Sequence, residues 1–129
     1  MFFKLLIMEK IISENVKVCK KFGAVDTVIK ASDTIVKSVN GESINDIPPR
    51  KELYQGQTPQ TFKMSIIMSA HKAAQDKNIP NVTDDTKLVL LQGHDVHLVE
   101  GDKLNFKITT FDDLMMLKAL LKIGKSEVL

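Results

Sequence analysis

The side chains best placed to do chemistry here are two cations and the polar runs around them. Arg50 is the one arginine, because the other seventeen of the eighteen basic residues are lysines. It follows Pro48-Pro49 and opens the run Lys51-Glu52-Leu53-Tyr54-Gln55-Gly56-Gln57-Thr58-Pro59-Gln60. A guanidinium is a planar fork of donors that grips a phosphate through two hydrogen bonds, a geometry an ammonium cannot copy. Lys107 stands in the middle of Asn105-Phe106-Lys107-Ile108-Thr109-Thr110, shortly after Val99-Glu100-Gly101. A third polar segment is Val82-Thr83-Asp84-Asp85. From the residues alone, phosphate recognition by Arg50 and Lys107 competes with plainer readings, a hairpin-base ion pair and an edge-strand lysine.

Other chemistries find less support. The six glycines are isolated, and no G-x-G or G-K-[ST] loop is present to cradle a phosphate. His94 and His97 fall at the start of a strand with a spacing that does not put both on one face, so ordinary surface residues are expected there and no metal site. His71 reads as a half-exposed residue in mid-helix, and Cys19 as a buried, inert thiol on an apolar helix face. A lone cysteine is compatible with a reducing cytoplasm, the expected location. The net charge is only +2, with lysines and acids alternating along the chain. That pattern argues against a nucleic-acid arm or a membrane-surface patch, both of which need like charge concentrated in one place. The apolar stretch Phe2, Phe3, Leu5, Leu6, Ile7 is too short to span a bilayer and lacks a cleavage site.

The elements that must position these groups read as α/β within the length of one domain, 129 residues. Met8, Ile11, Ile12, Cys19 and Phe22 recur at helical spacing over residues 8–22, with Gly23 as the stop. A buried strand is expected over residues 24–30. Residues 33–39 and 42–47 flank Asn40-Gly41, the pair favoured in a two-residue hairpin turn. A short strand over 53–57, closed by Thr58-Pro59, precedes a helix over 62–77. Thr83 is the expected cap of a helix over 84–91 that Gly93 stops. Strands are expected over 95–99 and 104–108. Thr110 and Asp113 then form a capping box for a last helix ending at Gly124.

The run from Gly23 to Leu121 resembles the C-terminal half of the cytidylyltransferases that load CMP onto a polyol phosphate. This group includes the enzymes for ribitol 5-phosphate and for 2-C-methyl-D-erythritol 4-phosphate. The matching stretches are Ala24-Val25-Asp26-Thr27-Val28, Asp33-Thr34-Ile35-Val36, Leu53 to Phe62 through Gln57-Thr58-Pro59-Gln60, Val82-Thr83-Asp84-Asp85, Val99-Glu100-Gly101, Asn105 to Thr110, and Asp113-Leu114. The resemblance implies half of a doubly wound, Rossmann-like nucleotidyltransferase sheet, with residues 33–47 as a hairpin arm that embraces a second subunit in a homodimer. It implies CTP and a polyol phosphate as substrates, with Mg²⁺ bridging the triphosphate. Thr34 and Arg50 match positions that hold the acceptor's phosphate across the dimer. Thr58 matches the threonine lining the acceptor pocket, and Lys107 the catalytic lysine near the reacting phosphates. Asp84 lies in a matching motif with no role beyond helix capping.

Two motifs of the resembled enzymes have no counterpart here: the glycine-rich CTP loop, and a His-Asp-Ala-x-Arg-Pro-Phe segment whose aspartate sits at the metal. Met1–Ile7 is not that segment. The expectation is therefore a partial domain that lacks the N-terminal CTP-binding half and is inactive alone, or a non-enzymatic remnant that only dimerises. Asp33-Thr34-Ile35-Val36 before Asn40-Gly41, then Ile47-Pro48, with Leu53-Tyr54-Gln55-Gly56-Gln57, resembles the ribitol-phosphate branch more closely and implies ribitol 5-phosphate as acceptor. The erythritol-phosphate branch, the alternative, more often has an aromatic or hydrophobic residue where Gln55-Gly56 stand.

Overall fold

The structure, a computed structural model, describes residues 8–80 and 82–123. Its first helix, α1 (Glu9–Phe22), buries the stripe Ile11, Asn15 and Cys19. This stripe is narrower than the spacing predicts; Ile12 and Phe22 stay half exposed. Gly23 ends the helix in the left-handed region at φ 94°, and its N–H donates to the Cys19 carbonyl at 2.8 Å. A Cβ at this position would also meet Ile66 Cδ1 at 2.5 Å, so conformation and packing both call for glycine.

Strand β1 (Ala24–Lys30) is the middle of a three-stranded mixed sheet. It pairs antiparallel with β2 (Tyr54–Phe62) and parallel with β3 (His97–Glu100). Successive strand side chains point to opposite faces. On one face Val25 and Val99 pack with Cys19 of α1. On the other, Ala24 packs with Ala70 of α2 (Met64–Asp76) and with Leu88 and Val89 of α3 (Asp85–Leu91). Helices on both faces of a mixed sheet make the class α/β. The last helix, α4 (Phe111–Ile123), starts at the capping box read from the sequence. Asp113 Oδ2 accepts from the Thr109 and Thr110 N–H groups at 3.0 Å each, and the Asp113 N–H donates to Thr110 Oγ1 at 3.2 Å. Those donors pull the Asp113 carboxyl down to about 2. The expected stop at Gly124 and the apolar start Phe2–Ile7 lie outside the described residues. Among the described residues, no helix is long and apolar enough to cross a membrane.

Four local expectations need correction. Residues 33–47 project as an arm but do not form a two-stranded ladder; the pairing is one bridge, Lys37 to Asp46. Side chains take the backbone partners that a ladder would have used. Asn40 Oδ1 accepts from the Glu42 and Ser43 N–H groups at 2.9 and 3.0 Å, and Asn45 Oδ1 accepts from the Val39 N–H at 2.7 Å. The strand expected to close at Thr58-Pro59 instead runs on to Phe62, which pairs with Ala24, so α2 begins two residues later. It passes through an irregularity: Asp26 faces Gln60 and Val28 faces Gly56, which leaves Gln57, Thr58 and Pro59 opposite Thr27. Asp84, not Thr83, caps α3, because its extended backbone lets the carboxylate accept the Thr86 N–H at 2.8 Å. Finally, residues 104–108 are not a strand. Asp102 turns the chain back, accepting the Leu104 N–H on Oδ1 at 2.8 Å and the Asn105 N–H on its carbonyl at 2.9 Å.

Candidate functional site

The three polar segments singled out in the sequence meet in space. Gln55 to Thr58 and Gln60 from β2, Val82 to Asp85 before and at the start of α3, and Asn105 to Lys107 line one cleft of about 460 Å³. Thr58 and Lys107 both face it. Thr34 and Arg50 do not. Thr34 is exposed at the root of the arm. Arg50, on a short 3-10 turn (Arg50–Glu52), donates Nη1 to the Ser32 carbonyl at 2.9 Å and so ties the two ends of the arm together. That bond replaces the ion pair offered as its plain reading, and it leaves Arg50 outside the cleft of its own chain.

Two buried polar clusters hold the irregular part of β2 in place. Asn15 Nδ2 donates to Thr27 Oγ1 at 2.8 Å and to the Ile11 carbonyl at 2.9 Å. Thr27 Oγ1 in turn donates to the Pro59 carbonyl at 2.7 Å, and Thr61 Oγ1 donates to Asn15 Oδ1 at 3.1 Å. The second cluster centres on Gln57. Its Nε2 donates to the Asp102 carbonyl at 2.8 Å, while Oε1 accepts from Asn105 Nδ2 at 3.1 Å and from the Asp102 N–H at 3.3 Å. Asn105 Nδ2 also donates to the Thr58 carbonyl at 2.9 Å. Gly101 lets the two segments close, because a Cβ there would collide with Gln57 Oε1. Lys107 thus rides on a turn bolted to β2. Sequence reasoning missed Asn15, Thr27 and Gln57. A signal existed for Asn15 alone: a polar residue four positions from both Ile11 and Cys19 on a buried stripe must find partners there.

Two interacting carboxylates, Asp84 at the cleft and Asp26 on β1 beside it in charge contact, are in different states. Asp84 lines it, and Asp84 Oδ1 accepts from Gln60 Nε2 at 3.0 Å as well as from Thr86. Burial works against its charge, but the bonds from Thr86 and Gln60 and the nearby Lys107 cation outweigh that and hold its pKa below the ordinary value. Asp26, on β1, is pushed up to about 6 by burial first and then by the Asp84 charge, against the opposing hydrogen bond from Gln60. At the rim, His71 Nε2 meets Asp85 Oδ1 at 2.9 Å. His97 stacks on Phe22 with ring centroids 3.7 Å apart. Cys19, on α1, is buried against Val25 and Val99 of the sheet, and desolvation raises its thiol pKa. Among the described residues, no three His, Cys, Asp or Glu side chains gather as a metal site. Amides, hydroxyls, one cation and carboxylates lining a cleft of this size suit a small polar ligand bearing hydroxyl and anionic groups.

The fold and cleft define an α/β domain with a polar cleft beside an irregular sheet strand. The chain belongs to the 2-C-methyl-D-erythritol 4-phosphate cytidylyltransferase (IspD) family, whose sequence profile matches residues 4–123. Solved structures agree. The 2-C-methyl-D-erythritol 4-phosphate cytidylyltransferase of Thermus thermophilus is 31% identical with a TM-score of 0.79, the match covering 90% of this chain and 56% of that one. The 4-diphosphocytidyl-2C-methyl-D-erythritol synthase of Anaerococcus prevotii is 28% identical with a TM-score of 0.79, over 88% of this chain and 52% of that one. The Francisella tularensis cytidylyltransferase shares the fold at a TM-score of 0.82 and 23% identity, over 90% of this chain and 54% of that one. This chain therefore spans about half the length of the solved relatives it matches.

Proposed function

We propose that this chain forms the acceptor side of a cytidylyltransferase that moves CMP from CTP to 2-C-methyl-D-erythritol 4-phosphate, releasing pyrophosphate in a reducing cytoplasm. The observation that carries the reading is the convergence of three sequence-distant motifs on one cleft that holds Lys107 and Thr58. The names of the family and of the solved relatives favour methylerythritol phosphate. They outweigh the Gln55-Gly56 pattern that pointed to ribitol 5-phosphate.

An oxygen of the acceptor's phosphate attacks the α-phosphorus of CTP in line. A new P–O bond forms, the bond to the β-phosphate oxygen breaks, and its electron pair leaves on pyrophosphate. Such a step needs positioning and cationic stabilisation more than a covalent catalyst. Lys107, fixed by the Gln57 cluster, supplies a preorganised cation for the charge that shifts between phosphates. Thr58 orients the acceptor. In this reading Thr34 and Arg50 come from the arm root of a second copy, which explains why neither faces the cleft of its own chain.

A coupled assay of pyrophosphate release tests this, with the chain alone and mixed with a nucleotide-binding half from a family member. The expected result is release with CTP and methylerythritol phosphate in the mixture and none from the chain alone. Faster release with ribitol 5-phosphate would reverse the acceptor assignment, and no release in any mixture would favour the non-enzymatic reading.

A further inference from the structure

We propose, on the reading of the cleft as the acceptor pocket, that Asp26 is a specificity-determining residue whose carboxylate accepts hydrogen bonds from the hydroxyl groups at the polyol end of the acceptor. Asp26 shares a sheet face with Ala24 and Val28, and its antiparallel partner is Gln60, a cleft-lining residue. Among the described residues its buried Oδ1 has no hydrogen-bond partner. A buried polar atom left unpaired is costly and calls for an explanation. The Oδ1 of its neighbour Asp84 is already engaged, accepting from Thr86 as the α3 cap and from Gln60.

Gly56 supplies the second observation. Its φ is not in the left-handed region, and a Cβ there would sit at ordinary contact distance, 3.7 Å from Asp26 Oδ2, with nothing nearer. Neither backbone nor space demands glycine at this point. A longer side chain would stand between the Asp26 carboxylate and the cleft that Gly56 lines, whereas glycine puts nothing there. The oxygen on the Gly56 side is Oδ2, so that is the acceptor for the hydroxyl groups.

Charge then orders the ligand. Asp26 and Asp84 repel a phosphate, while Lys107 attracts one, so the phosphate end faces Lys107 and the hydroxyl end faces Asp26. Hydroxyl groups are donors that a carboxylate accepts, and a charge-assisted bond of this kind is stronger than a neutral one. Gln60, which already donates to Asp84, stands beside the same hydroxyls.

Titration of the ¹⁵N-labelled 129-residue chain, followed by NMR, tests the assignment with three probes: 2-C-methyl-D-erythritol 4-phosphate, ribitol 5-phosphate and inorganic phosphate. Asp26→Asn is expected to weaken both polyol phosphates by about tenfold, the scale of losing a hydrogen bond to a charged group. Inorganic phosphate, with no polyol, should bind the variant as well as the wild type or better. Gly56→Val keeps Asp26 but covers it, and should give the same split; it carries the test if Asp26→Asn fails to fold. Equal binding by wild type and variants, or an equal loss for all three probes, would overturn the role of Asp26 while leaving the acceptor pocket standing. Failure of the wild-type chain to bind either polyol phosphate would reject the pocket and this assignment together.

Discussion

The cleft and the arm are both polar irregular segments next to the same strand, yet their hydrogen bonds run differently. At the cleft, Gln57 and Asn105 bind partners 45 to 48 residues away, and Asn105 is completely buried. In the arm, Ser38, Asn40 and Asn45 bind groups two to six residues away and remain exposed. Around them Val39 is 79% and Ile44 59% exposed. A region held by long-range buried bonds is finished within one chain. A region that satisfies its backbone locally and leaves its aliphatic side chains outside is shaped but not packed, and a small ribbon of that kind is marginal in water without a partner. On the proposed reading, the difference separates Thr58 and Lys107, which face the cleft of their own chain, from Thr34 and Arg50, which do not and would act from a second copy.

The sharpest way to break the comparison is Gln57→Leu. It removes the bonds to Asp102 and Asn105 and leaves buried groups unpaired, so a loss of roughly 3 kcal/mol in urea unfolding is expected. A loss below about 1 kcal/mol would mean that the cleft is not held by this cluster. Next, Lys107→Ala in the assembled enzyme should lower kcat about a hundredfold with little change in acceptor KM; near-normal kcat would remove it from the chemistry. Arg50→Lys should raise the acceptor's KM about tenfold, roughly 1.4 kcal/mol, and leave that for CTP unaltered. Mixed dimers carrying Arg50→Lys in one copy and Lys107→Ala in the other sharpen this further, because one of their two clefts keeps both native groups.

The pH dependence of stability tests the carboxylates on the cleft side. Asp26, held at about 6 in the fold, binds its proton more tightly folded than unfolded, where an aspartate titrates near about 4. Its contribution is therefore favourable at low pH and is lost as pH rises through the window between about 4 and 6. Asp84 and Asp113, both lowered in the fold, contribute in the opposite sense and lose stabilisation as pH falls. Asp26→Asn should remove the first component alone, so Tm between about pH 4 and 7 should rise more with pH in the variant than in the wild type. Identical profiles would show that Asp26 is not buried as described. The smallest effect on folding belongs to the arm. Ile44→Asp should change stability by no more than about 0.5 kcal/mol, yet sedimentation should show the dimer lost. An unchanged dimer would take the arm out of the interface.

What could be read from residues alone was local or contiguous. The 3.6-residue spacing that ends at Gly23, the β-branched run over 24–30 and the Thr110–Asp113 box each settle an element within a few positions, because caps and periodicity act between near neighbours. The order of the motifs likewise carried the family. Tertiary structure decided the rest. Residues 104–108 have the composition of a strand, but Asp102 turns them under Gln57, and a short apolar run cannot choose between those outcomes by itself. Asn40-Gly41 suits a tight hairpin, but Ser38 and Asn45 offered the backbone other partners. Neither the Asn15–Thr27–Pro59 chain nor the placement of Asp26 beside Gly56 has a sequence signature. A polar group's partners arrive from distant parts of the chain, and whether it is satisfied, strained or left open to a ligand depends on which ones come.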